Sequence, residues 1–536
     1  MPHHVPSTLQ PRPIQKYIPF LIGLLTTALY TAAFPPFNVA EAAYLFAVPL
    51  LTWSFFHPRF KTFAITTLAS GILSWLILLS WVRHVTWLGT LLLALALSLF
   101  LAAWFLAAYW ALPRLVLRPV LTRLSGLSGL AGLWVLIEWL RSFIFTGFPW
   151  LPLAASQWQQ PVMLQPAAWV GSYGVSFLLI FFNLALAAYG HHLTSRHEAT
   201  TLRKQLCPEF YLALLILLGA ISLFWHTTQS QPHEREPLFT AAAVQPYIPQ
   251  SLKWNPNEAK NHIAILAQQT TLMSERAPDI LLWPETATPW PVIGEPLMRE
   301  WIETLARKQQ RPLLIGSFSK TPQSLHNSIF LITPATGLDP QYYIKRKLVP
   351  FGEYVPLRGI LPFVTKAVPI QEDFSPGQDA ALLTLVLDGT AHRIGPLICY
   401  EDIFPHLART SVAAGADVLF VATNNSWFGE EGGAYQHAAH SVLRAVETRR
   451  PVIRCGNSGW SGWIDEYGRI RTVVTNAAGS IYFRGGAIMA IDRDPQWREK
   501  QSFYVRYGDR FVAVCLAFTF IGWLSTKRVA ITDKPS

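Results

Sequence analysis

Long apolar runs fill the first part of the chain and recur once near its C-terminus. Each run is close to the length of about 20 mostly apolar residues that one helical crossing of a bilayer requires. The eight runs are 17–34, 37–56, 63–82, 87–112, 127–148, 167–189, 210–225 and 511–524. This pattern predicts a multi-pass α-helical membrane bundle of eight spans. Seven spans lie in an N-terminal membrane domain, residues 1–226, and the eighth lies in a C-terminal segment, residues 510–536.

The stretch between the seventh and eighth runs, residues 227–509, has a different pattern. Short apolar runs typical of strands alternate there with longer helical patterns, which is the order expected of a layered α/β domain. The predicted strands are 239–244, 280–283, 312–316, 328–332, 393–399, 418–422 and 452–455. The predicted helices are 258–275, 296–308, 405–414 and 435–448. About 280 residues are ample for one such domain.

Composition and charge support this division. Charged residues make up only 14% of the 536-residue chain, and residues 1–226 hold 12 basic and 4 acidic side chains, against 31 and 28 in the remainder. Soluble domains usually carry about 25% charged residues. The net charge of +11 therefore belongs mostly to the membrane part, so nucleic-acid binding is not expected. Four cysteines in a chain this long do not indicate a disulfide framework.

Lysine and arginine are distributed unequally between alternate loops of the predicted bundle. One set of loops and ends carries 13 of them and the other set carries only Arg83. The 13 are Arg12, Lys16, Arg59, Lys61, Arg114, Arg118, Arg123, Arg196, Arg203, Lys204, Lys527, Arg528 and Lys534. Because basic loops stay on the cytoplasmic side, both termini are expected in the cytoplasm. Seven preceding spans then place residues 227–509 on the outer side of the membrane.

Three polar groups follow apolar runs of the α/β domain, where sheet proteins tend to place functional residues. They are Glu285, Lys345 with Glu353, and Cys399. A cysteine nucleophile needs a base or a cation nearby, since it reacts as the thiolate. Taken singly, each has an ordinary explanation: a surface glutamate, a solvated lysine, and a core cysteine or one paired with Cys455. The combination can supply a base, a cation and a nucleophile.

The sequence blocks around these residues resemble those of the nitrilase superfamily, in the form found in apolipoprotein N-acyltransferases. The blocks are Trp283-Pro284-Glu285, Lys345 followed by Leu348-Val349-Pro350-Phe351-Gly352-Glu353-Tyr354, and Ile398-Cys399-Tyr400-Glu401. Further similar blocks are Val244-Gln245, Ile248-Pro249-Gln250, Lys253-Trp254, the run Asn424 to Gly429, Gln436-His437, and Asn457 with Gly459. Their order, together with the membrane part, extends the resemblance over nearly the whole chain.

The resemblance implies an αββα sandwich with a Glu-Lys-Cys triad, anchored in the bacterial inner membrane with the sandwich facing the periplasm. Such enzymes move an acyl chain from a phospholipid, typically phosphatidylethanolamine, to the α-amino group of the S-diacylglyceryl-cysteine that begins a lipoprotein. No cofactor and no metal are expected. The expected partners are the phospholipid donor, the lipoprotein acceptor and the membrane, and the expected oligomeric state is a monomer.

The same resemblance assigns roles to individual positions. Glu285 is expected to be the general base, Lys345 to stabilise the oxyanion, and Cys399 to be the nucleophile that forms a thioester. Glu353 is expected to position Lys345 or the base.

Three more positions are expected to support the site. Tyr400 and Glu401 are expected to shape the turn after the nucleophile, and Trp254 to lie in a mobile loop over the site. Two positions differ from the family pattern or need an explanation. Asn425 stands where an aspartate is usual, and Cys455 is a second thiol that we expect to stay reduced or buried.

Two other functions fit parts of the sequence. A membrane-tethered amidohydrolase acting on a small amide would share the triad but gives no reason for eight spans. A transporter or scaffold with a decayed domain would not be expected to retain the complete triad.

Overall fold

The protein is described from a computed structural model that covers residues 16–194, 207–228, 234–356 and 372–527. The chain divides into two compact units. The first comprises residues 1–137, 177–216 and 514–536, and the second comprises residues 138–176 and 217–513. Six of the basic residues used to predict orientation, Arg12, Arg196, Arg203, Lys204, Arg528 and Lys534, lie outside the described residues.

The described residues form fifteen α-helices. The first eight are α1 (Ile18–Ala32), α2 (Val48–Ser54), α3 (Phe60–Leu78), α4 (Trp87–Leu115), α5 (Val120–Arg141), α6 (Pro161–Leu164), α7 (Ala167–Thr194) and α8 (Pro208–Thr228). The others are α9 (Gln250–Lys253), α10 (Ala259–Ser274), α11 (Pro296–Gln309), α12 (Pro405–Ala413), α13 (Gly433–Thr448), α14 (Phe503–Tyr507) and α15 (Arg510–Ser525).

Five of these helices, α3, α4, α5, α7 and α8, are long and apolar enough to cross a membrane. Helices α1 and α15 are apolar but shorter, with 15 and 16 residues. The predicted second span, residues 37–56, is not one continuous helix. It consists of a 3₁₀ turn at Ala40–Tyr44 and the seven-residue α2, whereas a helix needs about 20 residues to cross the bilayer core.

The break in this segment has a cause in its sequence. Pro35 and Pro36 precede it, and Asn38 has a positive φ of 58°, a conformation that does not continue a right-handed helix. Hydropathy alone measures the apolar length of a segment and takes no account of these backbone constraints.

Small and hydroxylated residues allow close helix packing within the first unit. Thr27 of α1 and Ser70 of α3 are joined by a buried hydrogen bond of 2.9 Å. A Cβ atom added to Gly129 of α5 would lie 2.7 Å from the Cα of Gly522 in α15. Such contacts are typical of helices that associate in membranes, where packing and interhelical hydrogen bonds replace the hydrophobic effect.

The second unit contains thirteen strands in the described residues. They are β1 (Glu236–Gln245), β2 (Ile280–Leu282), β3 (Leu313–Lys320), β4 (Leu325–Thr333), β5 (Gly337–Leu338), β6 (Tyr343–Ile344), β7 (Leu383–Leu387), β8 (Thr390–Ile398), β9 (Val418–Thr423), β10 (Val452–Gly456), β11 (Gly462–Ile464), β12 (Ile470–Val473) and β13 (Gly485–Arg493). All seven predicted strands and all four predicted helices of this domain are present. Six further strands, among them β13, were not predicted.

The strands form two sheets. The first has the order β13-β1-β2-β3-β4-β5, with β6 also paired to β4, and the second has the order β12-β11-β10-β9-β8-β7. Strands β1, β2 and β3 run parallel to one another, as do β8, β9 and β10. Parallel neighbours end at the same edge of a sheet, so Glu285 after β2 and Cys399 after β8 lie at carboxyl ends of parallel strands.

Two apolar cores separate the layers. One lies between the sheets and contains Ala243, Leu282, Ile398 and Val418, while the other lies between the first sheet and helices α10 and α11. Helices α12 and α13 pack on the second sheet. The order helix, sheet, sheet, helix is the predicted αββα sandwich, and the strands are apolar because both faces of each sheet are covered.

Candidate active site

Two glutamates, a lysine and an asparagine form one buried cluster. The Lys345 Nζ atom lies 3.1 Å from Oε1 of Glu285 and 2.9 Å from Oε1 of Glu353. The Nδ2 atom of Asn327 donates to the same two oxygens, at 2.9 and 2.8 Å. All four side chains are buried. A cation and an amide therefore bridge two carboxylates that would otherwise repel each other.

The backbone around Glu285 is held by close contact between β3 and the turn after β2. A Cβ atom at Gly316 of β3 would meet the carbonyl oxygen of Pro284 and lie 2.7 Å from the Cα of Glu285. Thr286 has a positive φ of 43°, and the N–H of Ala287 donates to Gly316 at 2.7 Å. A glycine at position 316 is thus required for Glu285 to approach the sheet.

Lys345 is placed by the strand pairing of β6 and by a tight turn. Its N–H donates to the carbonyl of Asn327 at 2.8 Å, which continues the pairing of β6 with β4. The Pro/Gly-containing turn that follows returns Glu353 to the lysine. Its Oε2 accepts a hydrogen bond from the N–H of Val349 at 2.8 Å, so both oxygens of Glu353 are bound.

Cys399 occupies a sharp turn at the end of β8. Its φ is 50°, which is uncommon for a residue with a side chain, and a 3₁₀ turn, Cys399–Ile403, begins there. The carboxylate of Glu285, the hydroxyl of Thr423 and the N–H of Asn424 lie close to the sulfur. Strained backbone of this kind is often found where a reactive group is positioned.

The electrostatics of the cluster favour a charged base and a neutral thiol. Burial opposes charge on Glu285, but Lys345 and the hydrogen bonds from Lys345, Asn327 and Cys399 outweigh it and lower the pKa of Glu285. Burial and the negative charge of Glu285 raise the pKa of Cys399 to about 12. Burial opposes charge on Lys345, yet the two glutamates raise its pKa well above the ordinary value. At neutral pH the group is therefore Glu⁻, Lys⁺ and S–H.

Glu401 connects the segment that follows Lys345 to the strand that carries Cys399. Its carboxylate accepts hydrogen bonds from the N–H of Ile398 at 2.7 Å, the hydroxyl of Tyr343 at 2.7 Å, and the N–H groups of Arg346 and Lys347 at 2.6 and 3.1 Å. Burial raises the pKa of Glu401, and Arg346 with these donors limits the rise. This residue therefore joins two sequence-distant elements of the site and does more than shape the turn after Cys399.

The remaining predicted residues lie beside the cluster. The hydroxyl of Tyr400 donates to the carbonyl of Gly147 at 2.7 Å. Trp254 follows α9, is half exposed, and its ring centre lies 5.8 Å from that of Phe318.

Sequence reasoning missed Asn327 and Lys253 as site residues. Lys253 is buried, and its Nζ atom lies 3.4 Å from the carbonyl oxygen of Glu285. Burial lowers the pKa of Lys253 to about 8, and Glu285 opposes that shift. A usable signal for Asn327 was its position just before the apolar run Ile329 to Ile332 of β4, because an amide buried beside such a run must find partners.

The two positions that raised questions in the sequence are also buried. The thiol of Cys455 is unpaired, and its sulfur lies 3.3 Å from the carbonyl oxygen of Leu282 and 3.5 Å from that of Val244. Asn425 accepts a hydrogen bond from Thr423 at 2.9 Å. Across residues 16–194, 207–228, 234–356 and 372–527, no group of three or more His, Cys, Asp or Glu side chains is arranged to hold a metal ion.

Known proteins resemble both parts of the chain. Residues 26–185 match the apolipoprotein N-acyltransferase N-terminal domain, and residues 240–489 match the carbon-nitrogen hydrolase family. An apolipoprotein N-acyltransferase of Geobacter metallireducens is 33% identical over 511 residues, which cover 93% of each chain. One of Brucella melitensis is 32% identical over 377 residues, covering 68% of this chain and 67% of the relative. An amidase from Nesterenkonia sp. is 16% identical and covers 53% of this chain and 99% of its own, with a TM-score of 0.37.

A layered α/β domain with a cysteine, a lysine and glutamates at its strand ends, and a match over residues 240–489, define an enzyme of the carbon-nitrogen hydrolase class. The membrane part points to one family within this class of enzymes. With a relative 33% identical over 93% of both chains, the chain belongs to the apolipoprotein N-acyltransferase family. The predicted family and the predicted type of enzyme, an acyltransferase, are confirmed, and the chain is a bacterial membrane protein.

Proposed function

We propose that this enzyme transfers an acyl chain from a phospholipid to the α-amino group of the diacylglyceryl-cysteine at the start of a lipoprotein. The observation that carries the proposal is the buried ion pair of Glu285 and Lys345 close to Cys399, in a chain whose described residues include five helices long and apolar enough to cross a membrane. Both substrates carry long acyl chains, and moving them from lipid to water costs about 0.8 kcal/mol per CH₂ group. A membrane-embedded catalyst avoids that cost.

In the first half-reaction, Glu285 removes the thiol proton as the sulfur of Cys399 attacks the ester carbonyl carbon of the phospholipid. Lys345 and a backbone N–H at the start of the 3₁₀ turn stabilise the oxyanion that develops. The ester C–O bond then breaks, and the proton held by Glu285 passes to the leaving oxygen. A lysophospholipid departs, and the acyl chain remains on Cys399 as a thioester.

In the second half-reaction, the acceptor amine attacks the thioester carbonyl. Glu285 takes a proton from the amine, the C–S bond breaks, and the sulfur is reprotonated. The product is an amide, and the enzyme returns to its starting state. A thioester is reactive enough towards an amine that this step needs no nucleotide.

The charge state of the site is suited to a mechanism in which Glu285 acts as the base in both half-reactions. Because the pKa of Glu285 is lowered and that of Cys399 is raised to about 12, the base is ionised and the thiol is intact before substrate binds. The proton therefore moves only when the ester is in place. Glu353 and Asn327 hold Lys345 and Glu285 in position through both steps.

The membrane arrangement is part of the same proposal. We propose eight crossings. The second is the broken segment 37–56, because non-helical backbone is tolerated at membrane depth where it is buried in protein, as residues of its 3₁₀ turn and of α2 are. The unequal distribution of basic residues then favours a cytoplasmic position for both termini. Residues 227–509 then form the periplasmic catalytic domain, between membrane segments 1–226 and 510–536. Phosphatidylethanolamine is the proposed donor, and the proposed functional unit is a monomer.

The transfer reaction tests the proposal. Purified enzyme is incubated with labelled phosphatidylethanolamine and a diacylglyceryl lipopeptide, and the N-acylated lipopeptide is measured. Cys399→Ser is expected to abolish transfer, while Cys455→Ala, a change at a buried thiol outside the cluster, should retain it. Release of ammonia from a small amide, with no dependence on lipid, would instead support the amidohydrolase alternative.

A further inference from the structure

His437, which has no role in the proposed mechanism, lies next to the backbone of Cys399. The Nε2 atom of His437, on α13, lies 3.0 Å from the carbonyl oxygen of Cys399 and 2.8 Å from Oδ1 of Asp402. All three residues are buried. Both neighbours are acceptors, so Nε2 carries a hydrogen whether the ring is neutral or charged.

Other side chains fix this histidine and its partner. Its Nδ1 atom lies 3.0 Å from Oδ1 of Asn425. Asp402 accepts a hydrogen bond from the hydroxyl of Ser441 at 2.6 Å and is paired with Arg454. The ring is thus bound on both sides, and the aspartate that faces it is bound as well.

The peptide group that His437 binds also contains the N–H of Tyr400, which follows the nucleophile in the chain. The carbonyl of Cys399 and the N–H of Tyr400 belong to one peptide unit, which is planar and trans, so the two groups point in opposite directions. Tyr400 is the second residue of the 3₁₀ turn, and the first N–H groups of a helix have no partner within it. Fixing the carbonyl on one side therefore fixes the direction of that N–H on the other.

The conformation of Cys399 makes such support necessary. With a φ of 50°, the residue occupies a sparsely populated region that persists only where the surroundings hold it. The ring of His437 bonds to the backbone of Cys399 and to Asp402, whereas Glu285 is the proposed base and lies close to the sulfur. The contacts of His437 are therefore those of a residue that holds the Cys399–Tyr400 peptide in place.

We propose that His437, held by Asp402, is a positioning residue that orients the Cys399–Tyr400 peptide so that the N–H of Tyr400 meets the developing oxyanion. The inference rests on the proposed function, because only an attack by Cys399 on a carbonyl creates that oxyanion. It assigns to His437 the orientation of the backbone N–H that stabilises the oxyanion together with Lys345, without any contact between His437 and the substrate.

The test compares two reactions of the same sulfur in the full-length enzyme. One is acylation of Cys399 by phosphatidylethanolamine in a single turnover, which passes through an oxyanion. The other is alkylation of Cys399 by iodoacetamide, which displaces iodide and forms none. Both rates are read by mass spectrometry of the peptide that contains Cys399.

His437→Leu is expected to slow acylation by about 100-fold or more, the usual loss when one oxyanion donor is removed. It should change alkylation by less than about threefold, because the charges of Glu285 and Lys345 near the thiol are unchanged. His437→Gln keeps an N–H donor of similar reach and should recover acylation to within about tenfold of the wild type. His440→Leu, at a buried histidine on the same helix, is the matched control and should leave the ratio of the two rates unchanged.

Equal loss of both reactions in His437→Leu would show a general structural role and overturn the inference, as would acylation at the wild-type rate. If that variant does not fold, Ser441→Ala removes one hydrogen bond to Asp402 and one from Arg454, leaves the ring of His437 in place, and should still slow acylation more than alkylation. Failure of the wild-type enzyme to acylate Cys399 would contradict the proposed function itself, which distinguishes the two outcomes.

Discussion

Lys345 and Glu285 form a buried ion pair in which the ammonium nitrogen lies 3.1 Å from a carboxylate oxygen. The lysine also faces Glu353 at 2.9 Å, so one cation serves two anions. This arrangement keeps Glu285 ionised in a buried site and leaves a fixed positive charge beside the sulfur of Cys399. We therefore expect the chemistry of the site to depend on this pair.

Lys345→Met should remove both functions of the lysine. Without the cation, the pKa of Glu285 would rise, and the oxyanion would lose a donor. We expect the rate of acyl-enzyme formation to fall by at least about 1,000-fold, from the loss of oxyanion stabilisation together with protonation of the base. Lys320→Met, at an exposed lysine paired with Glu372, is the control. A loss of less than tenfold for Lys345→Met would contradict this account.

Asn327→Asp should inactivate the enzyme although it is nearly isosteric. The Nδ2 atom of Asn327 donates to Glu285 and Glu353, and a carboxylate there would place a third negative charge against them. The expected result is an acylation rate lower than that of Asn327→Ala, which only removes the two hydrogen bonds. Single-turnover acylation of the two variants decides this, and the reverse order of rates would show that the amide has no electrostatic role.

The thiol of Cys399 should react slowly with iodoacetamide at neutral pH. Because its pKa is raised to about 12, the neutral form dominates below that value, and the alkylation rate should rise about tenfold per pH unit between pH 7 and 10 without a plateau. Glu285→Gln removes a negative charge that raises this pKa, so the thiolate should form at lower pH while acyl transfer is lost. A wild-type plateau below pH 9 would contradict the assigned charge states.

Glu401→Gln should loosen the connection between the segment after Lys345 and the strand before Cys399. Four donors face the carboxylate, and an amide nitrogen in place of one oxygen leaves some of them unpaired, at a cost of about 1–3 kcal/mol. Thermal unfolding in detergent should show a lowered midpoint, and acylation should slow. Glu372→Gln, at an exposed glutamate, should change neither quantity, and equal behaviour of the two variants would contradict the role of Glu401.

Part of the fold follows directly from the sequence. Strand β2 and the second half of β8 are apolar because both faces of each sheet are covered. Cys399 follows β8 directly and Glu285 follows β2 after two residues, which is why both could be chosen as candidates. These two strands were predicted from the local pattern of apolar residues alone. Strand β13, in contrast, was not predicted. Its neighbour in the sheet, β1, lies about 250 residues earlier in the chain, and a pairing that distant leaves no local pattern.

Other parts of the site depend on register and backbone geometry that a sequence does not display. Asn327 reaches the glutamates because β4 pairs with β3 in one register, with Asn327 opposite Phe318. His437 meets the carbonyl of Cys399 only because that residue takes a positive φ. The broken segment at α2 likewise results from backbone constraints within an apolar stretch. The catalytic roles of Glu285, Lys345 and Cys399 stay predictions until they are measured.

The central claim is that Cys399 carries the acyl chain between the two substrates. The most direct test is mass spectrometry of the purified enzyme after exposure to phosphatidylethanolamine without acceptor. The account predicts one added acyl mass per chain, located on Cys399, removed by neutral hydroxylamine and discharged when a diacylglyceryl lipopeptide is added. Transfer to the lipopeptide with no acyl mass on Cys399, or full activity in Cys399→Ser, would contradict it.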